Sequence, residues 1–506
     1  MSEYLRNRPT RCRGRFIIAV GAAALSFVAN STTRGQAPTS LTARAARLAT
    51  DTLTLSFEGA VTRALRDGEE VRLANSSVDV ADAQIGVARS TGLPQLRLNS
   101  GYSQIVENAR ANIVGQVFNQ AFTYNANAQL QQPLFLGGRV VAGAKVAGAV
   151  RGAARANTAE VRGQVVVDVE RAYLNALFTR RLIDIQQRNL RLADDRVAQA
   201  RQLETAGRAS RYDVLRLKVE RANLEPAVVQ AENDFAIAVL NLRRLVNVPF
   251  ERPLTLSSEL DTLVLQRLLA TVDTSPNLGT TRSAVRSAEL TRTAREAGVR
   301  VARADLFPSI TATITTGFLA LPAGNGLPAR SGQSSNALCP PGSLPTRLCQ
   351  NNGWFADRNF GFQVSWPIFD GLRTKSNLEN AHALVDQSTI QLALVREQVA
   401  LEAAAARAEF GRSRTLFDAR RETVAEAAEA YDLAVLRNTR GVGTVLDVSD
   451  AQLNLVRAQV NAARAIYDVF LAAADLARAT GRPIPLPDGG AMRITDRGAD
   501  RVTTDR

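Results

Sequence analysis

Two acidic residues near the C-terminal end have a spacing at which they could act together. Asp447 and Asp450 are three positions apart, which places both carboxylates on one face of a helix. Carboxylates that lie close together repel each other when both are ionised. A structural interpretation of Asp447 stays open as well, because with Thr444 it completes a capping box, as Asp213 does with Ser210. Asp450 has no such capping role.

Other reactive side chains are few, and their surroundings are not typical of an active site. His382, the only histidine, lies in a helical Asn-Ala-His-Ala context that favours a surface residue. We find no nucleophile motif, metal-ligand cluster or phosphate-binding loop, so the sequence predicts no enzyme, no cofactor and no metal site. Cys339 and Cys349 lie in a stretch rich in Pro, Gly, Ser and Asn. An oxidising compartment favours a disulfide between them, and two free thiols are the alternative.

Residues 1–37 have the features of a secretory signal. A segment rich in arginine precedes an apolar run at 16–29 that is too short to span a membrane comfortably, and cleavage could follow Ala29 or Ala37. A disordered basic arm is the alternative interpretation. No later segment reaches about eighteen unbroken apolar residues. The sequence therefore predicts an exported chain, which can cross a membrane only as a barrel.

The chain is strongly basic, with 62 Lys and Arg against 48 Asp and Glu, and nearly all the basic residues are arginines. These arginines are spread along every predicted helix and usually lie near Glu or Asp. A nucleic-acid-binding protein would concentrate its basic residues on one module. We therefore interpret the arginines as a solvated helix surface and exclude nucleic acid as a partner.

The elements that must position these residues are arranged in two similar halves. Each half has two strands with alternating polar and apolar residues, a helix of nearly seventy residues, a tight turn and a further helix. The strand-to-helix junction contains Pro133, Gly137 and Gly138 in the first half, and Pro367 and Gly371 in the second. Pro133 and Pro367 are 367 − 133 = 234 positions apart.

The tight turns, here called the tips, repeat at the same spacing. Gly207 and Ser210 lie at the first tip, and Gly441 and Thr444 occupy the matching places, at 441 − 207 = 234 and 444 − 210 = 234. In each tip the glycine ends the long helix, and the hydroxyl residue begins the next. The constant spacing predicts that the chain is a duplication.

The predicted domains are a first repeat at 52–247, a linker at 248–275, a second repeat at 276–480 and a polar, loosely structured tail at 481–506. The predicted strands cover 95–106, 122–131, 309–318 and 359–366. The predicted helices cover 54–90, 139–206, 210–246, 258–270, 276–305, 372–437 and 444–480. Strands of about ten residues are long enough to cross a bilayer when tilted, and one polar face is typical of a barrel with a wet lumen.

With both junctions and both tips, the sequence resembles the TolC-like outer-membrane efflux family over roughly residues 52–480. The resemblance rests on Pro133-Leu134-Phe135 with Gly137-Gly138, on Pro367 through Gly371, and on Gly441 through Gln452. It implies a mainly α-helical homotrimer with a β-barrel part. Each subunit would add four strands to one twelve-stranded barrel, continued by a coiled-coil tunnel of long helices. Four strands alone cannot close a barrel, which independently requires oligomerisation.

The resemblance also implies a function in the outer membrane of a Gram-negative bacterium. The protein would be the passive exit duct of a tripartite efflux or type I secretion system, joined by a periplasmic adaptor to an inner-membrane transporter. Asp447 and Asp450 match the family's paired gate aspartates, with Asp213 at the corresponding place in the first repeat. In a trimer they would form rings of carboxylates that select cations. The residues at the tips that would meet the adaptor are Gly207, Ser210, Gly441 and Thr444.

The chain departs from the family at the second tip. Asn438 and Gly443 stand where the family's best-known member has a tyrosine and an arginine that constrain the tip, and Arg437 and Arg440 are near enough to substitute. An exported coiled-coil structural or adhesion protein without a pore is the competing interpretation. Such a protein has no need of duplicated strands and junctions, so the sequence favours the duct.

Overall fold

The computed structural model describes residues 52–104, 106, 122–258, 265, 266, 269, 272, 282–320, 354–486, 491–493 and 501–503. The expected signal at 1–37 lies outside the described residues, and so do Cys339, Cys349 and most of the short helix expected at 258–270. The description below therefore concerns the unit that begins at Thr52.

Long helices dominate the described part of the chain. They are α1 (Phe57–Asp67), α2 (Glu69–Ser90), α3 (Arg139–Thr205), α4 (Arg211–Leu245), α5 (Ser283–Arg303), α6 (Arg373–Thr439) and α7 (Val445–Thr480). The strands are β1 (Leu53–Leu55), β2 (Gln95–Gln104), β3 (Phe122–Leu136), β4 (Leu254–Leu256), β5 (Ser309–Ala320), β6 (Trp354–Ser365), β7 (Ile484–Pro485), β8 (Ala491–Arg493) and β9 (Arg501–Thr503). Within the described ranges, the helices lack an apolar stretch of the length that a bilayer crossing requires.

The helices pack side by side in a row. The half of α3 nearest the sheet packs between α2 and α5, and α6 packs on the other side of α5. The half of α3 nearest the tip packs against α4 and α7, and α6 packs on α7. Both α3 and α6 have 67 residues, which makes each about 100 Å long. A helix of this length can bury a face only against neighbours that run alongside it.

Four strands form an antiparallel sheet in the order β2-β3-β5-β6. Its register places apolar residues of neighbouring strands in rows, such as Leu96, Leu130, Ile314 and Phe360. The rows between them are polar, such as Arg97, Gln129, Thr315 and Asn359. The sheet therefore has one largely apolar face and one polar face, as the alternation in the sequence predicts.

A core near the middle of α3 joins distant parts of the chain. The rings of Phe57 and Tyr173 meet edge to face with centroids 5.3 Å apart, and the Tyr173 hydroxyl donates to the Leu55 carbonyl oxygen at 2.9 Å. β1 and β4 pair in parallel beside this core. The sheet β7-β8-β9 covers it with buried Ile484 and Met492. The tail expected to be loose is therefore partly ordered, because its apolar residues have a core to join.

The single helix predicted at 54–90 is wrong in two respects, because Thr54 and Leu55 belong to β1 and because the chain breaks the helix at Gly68. That residue is extended (φ −65°, ψ 134°) and separates α1 from α2. A Cβ at this position would lie 2.3 Å from the Ala64 carbonyl oxygen, so glycine allows the close turn. α1 begins after Ser56, whose hydroxyl caps the helix by accepting from the Gly59 N–H at 3.1 Å.

Three other predicted boundaries need correction. β3 continues to Leu136, five residues beyond the predicted end, because it keeps pairing with β5 past an irregularity between Pro133 and Phe135. β6 begins at Trp354, before the predicted 359, because β5 extends to Ala320 and pairs with it. α5 begins at Ser283 after an extended Arg282, whereas a start at 276 was expected; residues 273–281 lie outside the described part.

The predicted duplication is visible in the backbone. α3 and α6 have equal lengths and begin at Arg139 and Arg373, which are 373 − 139 = 234 positions apart. Left-handed residues recur at the same interval, with Gly137 at φ 62° matched by Gly371 at φ 69°. The position that matches Gly138 is Leu372, a non-glycine residue that adopts φ 67°.

Candidate gate at the helix tips

Both tips turn through a left-handed glycine. Gly207 has φ 72° and Gly441 has φ 78°, a region that costs glycine little. At the second tip, the N–H groups of Val442 and Gly443 both donate to the Arg437 carbonyl oxygen, at 3.0 and 3.1 Å. These bonds use a carbonyl group that the end of α6 would otherwise leave unpaired.

Each tip then begins its next helix with a complete capping box. The Thr444 hydroxyl accepts from the Asp447 N–H at 3.1 Å, and the Asp447 carboxylate accepts from the Thr444 N–H at 2.9 Å. Ser210 and Asp213 make the same pair of bonds at 3.2 and 3.3 Å. The hydrogen bond from the Thr444 backbone, followed by that from its hydroxyl, holds the pKa of Asp447 below its usual value.

Asp450 lies one helical turn after Asp447 and is exposed. Within the described residues, its carboxylate forms no hydrogen bond or ion pair. The capping interpretation of Asp447 is thus confirmed, and a gate role for Asp213, Asp447 and Asp450 stays a prediction. The structure is compatible with both roles in Asp447, because the capped carboxylate remains exposed.

The two residues that depart from the family bond to each other within the second tip. The Asn438 side chain donates from Nδ2 to the Gly443 carbonyl oxygen at 3.2 Å. A Cβ on Gly443 would lie 3.1 Å from both the Arg437 Cβ and the Asn438 backbone nitrogen, so the turn is tightly packed. Arg437 also helps to lower the pKa of Asp447 through its charge. Asn438 therefore stabilises its own turn, and Arg437 acts on the proposed gate residue.

Sequence reasoning missed a polar cluster that lies just inside the tips, here called the Arg196 cluster. It consists of Asn189, Arg196, Glu220, Ser449 and Gln452. Arg196 of α3 donates from Nη2 to the Ser449 hydroxyl at 2.9 Å and from Nη1 to the Gln452 side chain. Ser449 donates to Glu220 of α4 at 2.9 Å, and Gln452 donates to the Asn189 carbonyl oxygen at 3.3 Å.

The Arg196 cluster is largely withdrawn from water. Gln452 and Asn189 are buried, and burial lowers the pKa of the Arg196 guanidinium, an effect opposed by the nearby Glu220 carboxylate. Ser449 and Gln452 belong to the segment that carries the resemblance at the second tip. The sequence did contain a signal for this cluster, since Ser449 and Gln452 are polar residues three positions apart that follow the capping box at Thr444.

The junctions at the other end of the long helices place glycines where the chain turns from strand to helix. Pro133 lies inside β3 beside the pairing irregularity, rather than at the strand end, and Pro367 follows the end of β6. A Cβ on Gly137 would lie 2.4 Å from the Ala304 carbonyl oxygen, whereas nothing lies within 4 Å of a Cβ on Gly371. The two junctions therefore share a backbone but not their surroundings.

Another buried polar residue, Glu170, lies far from the tips in α3. It is 0% exposed, and neither carboxylate oxygen has a hydrogen-bond partner in the described structure. Burial, reinforced by the charge of Asp475 on α7, raises its pKa well above the usual value. Across the described ranges, no group of three or more His, Cys, Asp or Glu residues is arranged to hold a metal ion.

α6 forms one edge of the row of helices and has apolar residues on two opposite faces. Leu392 and Val399 are buried inside the row, whereas Ile390, Leu394 and Leu401 are 63%, 58% and 64% exposed. The exposed three follow a spacing of four and seven residues, which forms a stripe along the helix. A groove of about 600 Å³ runs beside Leu394 and Leu401.

The opposite edge of the row, formed by α2 and α4, also has exposed apolar residues. On α2 they are Leu73, Val80 and Val87, seven positions apart. On α4 they are Tyr212, Leu215, Val219, Val229, Ile237 and Leu240. A spacing of seven, or of three and four, is the pattern of helices that pack along their length.

Comparison with known proteins agrees with this architecture. The chain is 23% identical to outer membrane efflux protein BepC of Brucella suis biovar 1, over 85% of the chain and 86% of BepC. It is 24% identical to the cobalt-zinc-cadmium resistance protein CzcC of Cupriavidus metallidurans, over 85% and 90%. Crystal structures of CusC, which concern transmembrane channel formation, match with a TM-score of 0.69 and 18% identity, over 85% and 94%.

The family comparison covers most of the chain. Residues 60–248 and 278–482 match the family described as outer membrane efflux protein. Both matched segments contain one long helix, one tip and the helix that follows it. The chain therefore belongs to the outer membrane efflux protein family.

Proposed function

We propose that this chain is the exit duct of an efflux or secretion system, and that three copies close it into a ring in the outer membrane. The observation that carries the proposal is that the sheet and the row of helices have open edges on the same sides. The strand order β2-β3-β5-β6 matches the helix order α2-α3-α5-α6, and each strand adjoins its helix in the chain. One edge is β2 with α2, and the other is β6 with α6.

A ring of copies would pair both kinds of edge at once. The edge strands have one neighbour each, and unpaired strand edges cannot be exposed to lipid. The stripe on α6 lies in the half of the row nearest the sheet, so in one copy it would meet the stripe on α2 of the next. Such a head-to-tail contact closes into a ring when the rotation between copies allows it. Three copies of four strands give 3 × 4 = 12 strands.

The two faces of the sheet support a water-filled barrel. Its apolar rows would face lipid, and its polar rows would line the lumen. The row of helices, about 100 Å long, would continue the wall as a periplasmic tunnel. The competing proposal, a coiled-coil protein without a pore, gives no role to a sheet with one apolar and one polar face.

The tips would close the far end of the tunnel and meet a periplasmic adaptor. Asp447 and Asp450 would each form a ring of three carboxylates, and Asp213 a further ring. Carboxylate rings at a constriction favour cations over anions and bind multivalent cations most strongly. Cargo movement would be passive through this opening, driven by an inner-membrane transporter that the adaptor connects. No cofactor is needed for conduction.

The test is the ion conductance of the purified, full-length protein in a planar bilayer. We expect discrete, cation-preferring steps that divalent or trivalent cations block from the tip side. We expect Asp450→Asn to weaken the block about tenfold and Asp447→Asn with Asp450→Asn to weaken it further, because only the Asp213 ring then remains to bind the cation. Asn at 447 keeps a side-chain oxygen for the capping box, so the tip itself is preserved.

The matched control is Asp418→Asn, which removes an exposed carboxylate of α6 away from the tip. This variant should keep the wild-type block. Blocked steps that both tip variants leave unchanged would keep the duct and move the gate, with Arg437 and Arg440 as the next candidates. Folded oligomers that show no steps would reject the duct in favour of the coiled-coil alternative.

A further inference from the structure

The Arg196 cluster connects α7, which carries both proposed gate aspartates, to the hairpin formed by α3 and α4. Ser449 lies between Asp447 and Asp450 in the sequence, and Gln452 follows Asp450 by two positions. Their partners are on α3 and α4, not on α6, the helix that precedes α7 in the chain. The cluster is therefore a contact between the two hairpins of one subunit.

We infer that Arg196 and Gln452 are positioning residues of the proposed gate, which fix the height and rotation of the first turns of α7 against α3. The inference rests on the proposed function, since it assigns a role to residues that do not themselves face cargo. It concerns the placement of Asp447 and Asp450, whose carboxylates the cluster does not touch.

The geometry of Arg196 makes the contact sensitive to small movements. Its guanidinium is planar and rigid, and it reaches Ser449 and Gln452 with two different nitrogens. These partners are three residues apart, so they lie on one face of α7. A rotation of α7 by one residue turns the face by about 100°, and a slide of one turn shifts it by about 5.4 Å. Either movement would break both bonds.

Burial favours a role in positioning over one in stability. The removal of an arginine and two amide side chains from water costs free energy that their mutual bonds only partly return. Elsewhere α7 is buried through alanine, leucine and phenylalanine side chains, such as Ala473, Leu476 and Phe470. An apolar contact tolerates sliding, whereas a buried polar network with defined partners specifies one register.

The duplication gives an internal comparison. The positions that match Ser449 and Gln452 are 449 − 234 = 215 and 452 − 234 = 218, which are the exposed residues Leu215 and Lys218. The position that matches Arg196 is 196 + 234 = 430, an alanine. The first repeat therefore builds the same helix, tip and cap without such a cluster. The architecture does not require it.

The comparison also links the cluster to the gate position itself. The residue that matches Asp450 is at 450 − 234 = 216, where the first repeat has Arg216. Its guanidinium donates to Glu220 at 3.1 Å, and Glu220 in turn accepts from Ser449. The first-repeat counterpart of the gate residue is thus joined to the cluster, while Asp450 remains free to act at the constriction.

The experiment uses the same bilayer assay, with thermal stability of the oligomer measured in parallel. We expect Arg196→Leu and Gln452→Leu to raise the cation concentration needed for half-block by about tenfold or more, the equivalent of roughly one lost hydrogen bond to a charged group. Each variant leaves buried polar partners unsatisfied, so we expect a lower unfolding midpoint and measure the block on the oligomer that assembles. Gln452→Glu keeps the acceptor for Arg196 but loses the donor to the Asn189 carbonyl oxygen, so it should shift the half-block less than Gln452→Leu does.

The matched control is Arg221→Leu. Arg221 of α4 binds Asp194 of α3 at 2.9 Å, so this variant removes an ion pair between the same two helices without touching α7. It should leave the block unchanged. An equal loss of block in this control would show a general effect of helix packing and would overturn the inference.

Other outcomes separate the inference from the function on which it rests. A wild-type block that Asp450→Asn relieves, but that Arg196→Leu and Gln452→Leu leave unchanged, would reject the inference alone. If Arg196→Leu does not assemble, Gln452→Leu decides, because it keeps the arginine paired with Ser449 and Glu220. A wild-type oligomer without conductance would reject the proposed function and the inference together.

Discussion

Asp447 caps α7, and in the proposed gate the same carboxylate would also supply charge. Its hydrogen bonds to Thr444 hold the turn and depress its pKa, so the group stays ionised to a lower pH than an ordinary aspartate. The capping contribution to stability is therefore fully present above the usual pKa of about 3.9 and is lost as the pH falls through the lower folded-state value. A charge at the tip is thus available throughout the neutral range.

Glu170 behaves in the opposite way, and we predict that Glu170→Gln stabilises the protein increasingly as the pH rises. Because burial raises its folded-state pKa, the folded protein holds a proton that the unfolded chain releases above a pH of about 4.3. Below that pH the protonated carboxyl makes its full contribution to the free energy of unfolding, and this contribution is lost as the pH rises towards the folded-state pKa. Glutamine, which never ionises, removes this loss.

The measurement is the midpoint of thermal unfolding between pH 4 and pH 8 for both proteins. We expect near-equal midpoints at pH 4 and a higher midpoint for the variant at pH 8. The expected gain in the free energy of unfolding at pH 8 is on the order of 1–3 kcal/mol, the range for an unsatisfied buried polar group. Glu429→Gln, an exposed substitution on α6, is the control and should show no pH-dependent gain. Parallel curves for Glu170→Gln and wild type would contradict the prediction.

At the scale of elements, the two junctions offer a matched pair of substitutions. Gly137→Ala and Gly371→Ala both place a Cβ on a left-handed residue, which costs about 1–2 kcal/mol. At Gly137 the added carbon also meets the Ala304 carbonyl oxygen at 2.4 Å, whereas at Gly371 it meets open space. We therefore expect Gly137→Ala to lower the unfolding midpoint clearly more than Gly371→Ala.

Thermal unfolding followed by circular dichroism would test this difference. The comparison is internal, since the backbone cost is shared and only the surroundings differ. Equal losses at the two glycines would mean that the turn between β5 and α5, at Ala304, moves aside. That outcome would contradict the prediction that the Ala304 carbonyl oxygen makes Gly137 the more sensitive position.

The elements that the sequence predicts well are those specified by local signals. The long helix α3 begins at Arg139 and ends at Thr205, within a residue of the expected limits, because two glycines and the tip mark its ends. The capping boxes at Ser210 and Thr444 were also found, since each depends on residues three apart. Such signals act over one or two turns and are readable in a single sequence.

The elements that were missed depend on partners far along the chain. β1 has three residues and is stabilised by pairing with β4 about two hundred positions later. The Arg196 cluster joins residues more than 250 positions apart. Gly68 was the exception, a local signal that the surrounding helical pattern obscured. Short strands and buried polar contacts have no periodicity of their own, so only the packed structure reveals them.

At the scale of the whole molecule, the exposed stripes provide the test of ring closure. We predict that Ile390→Arg combined with Leu394→Arg prevents stable assembly, because two apolar side chains lose their burial and two charges replace them. A loss of about 1.5 kcal/mol of burial free energy at each site would weaken association by about a hundredfold. Analytical ultracentrifugation in detergent measures the change.

The control for this prediction is Thr389→Arg combined with Ala393→Arg. These residues are also exposed on α6, but each lies one position, or about 100°, away from the stripe. The control should assemble like the wild type. Assembly of both variants would show that the α6 stripe is not the contact between copies, and dissociation of both would point to net charge instead.

The equal lengths of α3 and α6 give the two tips the same distance from the start of their helices. Because both have 67 residues, their tips end at the same depth below the sheet. An insertion of seven residues in only one of them would lower its tip by about 10 Å and leave the other behind. In the proposed duct, a deeper tunnel would therefore require both helices to lengthen by the same number of residues. An insertion in one repeat alone would instead set the two tips of each subunit at different depths, and the proposed gate could not close in one plane.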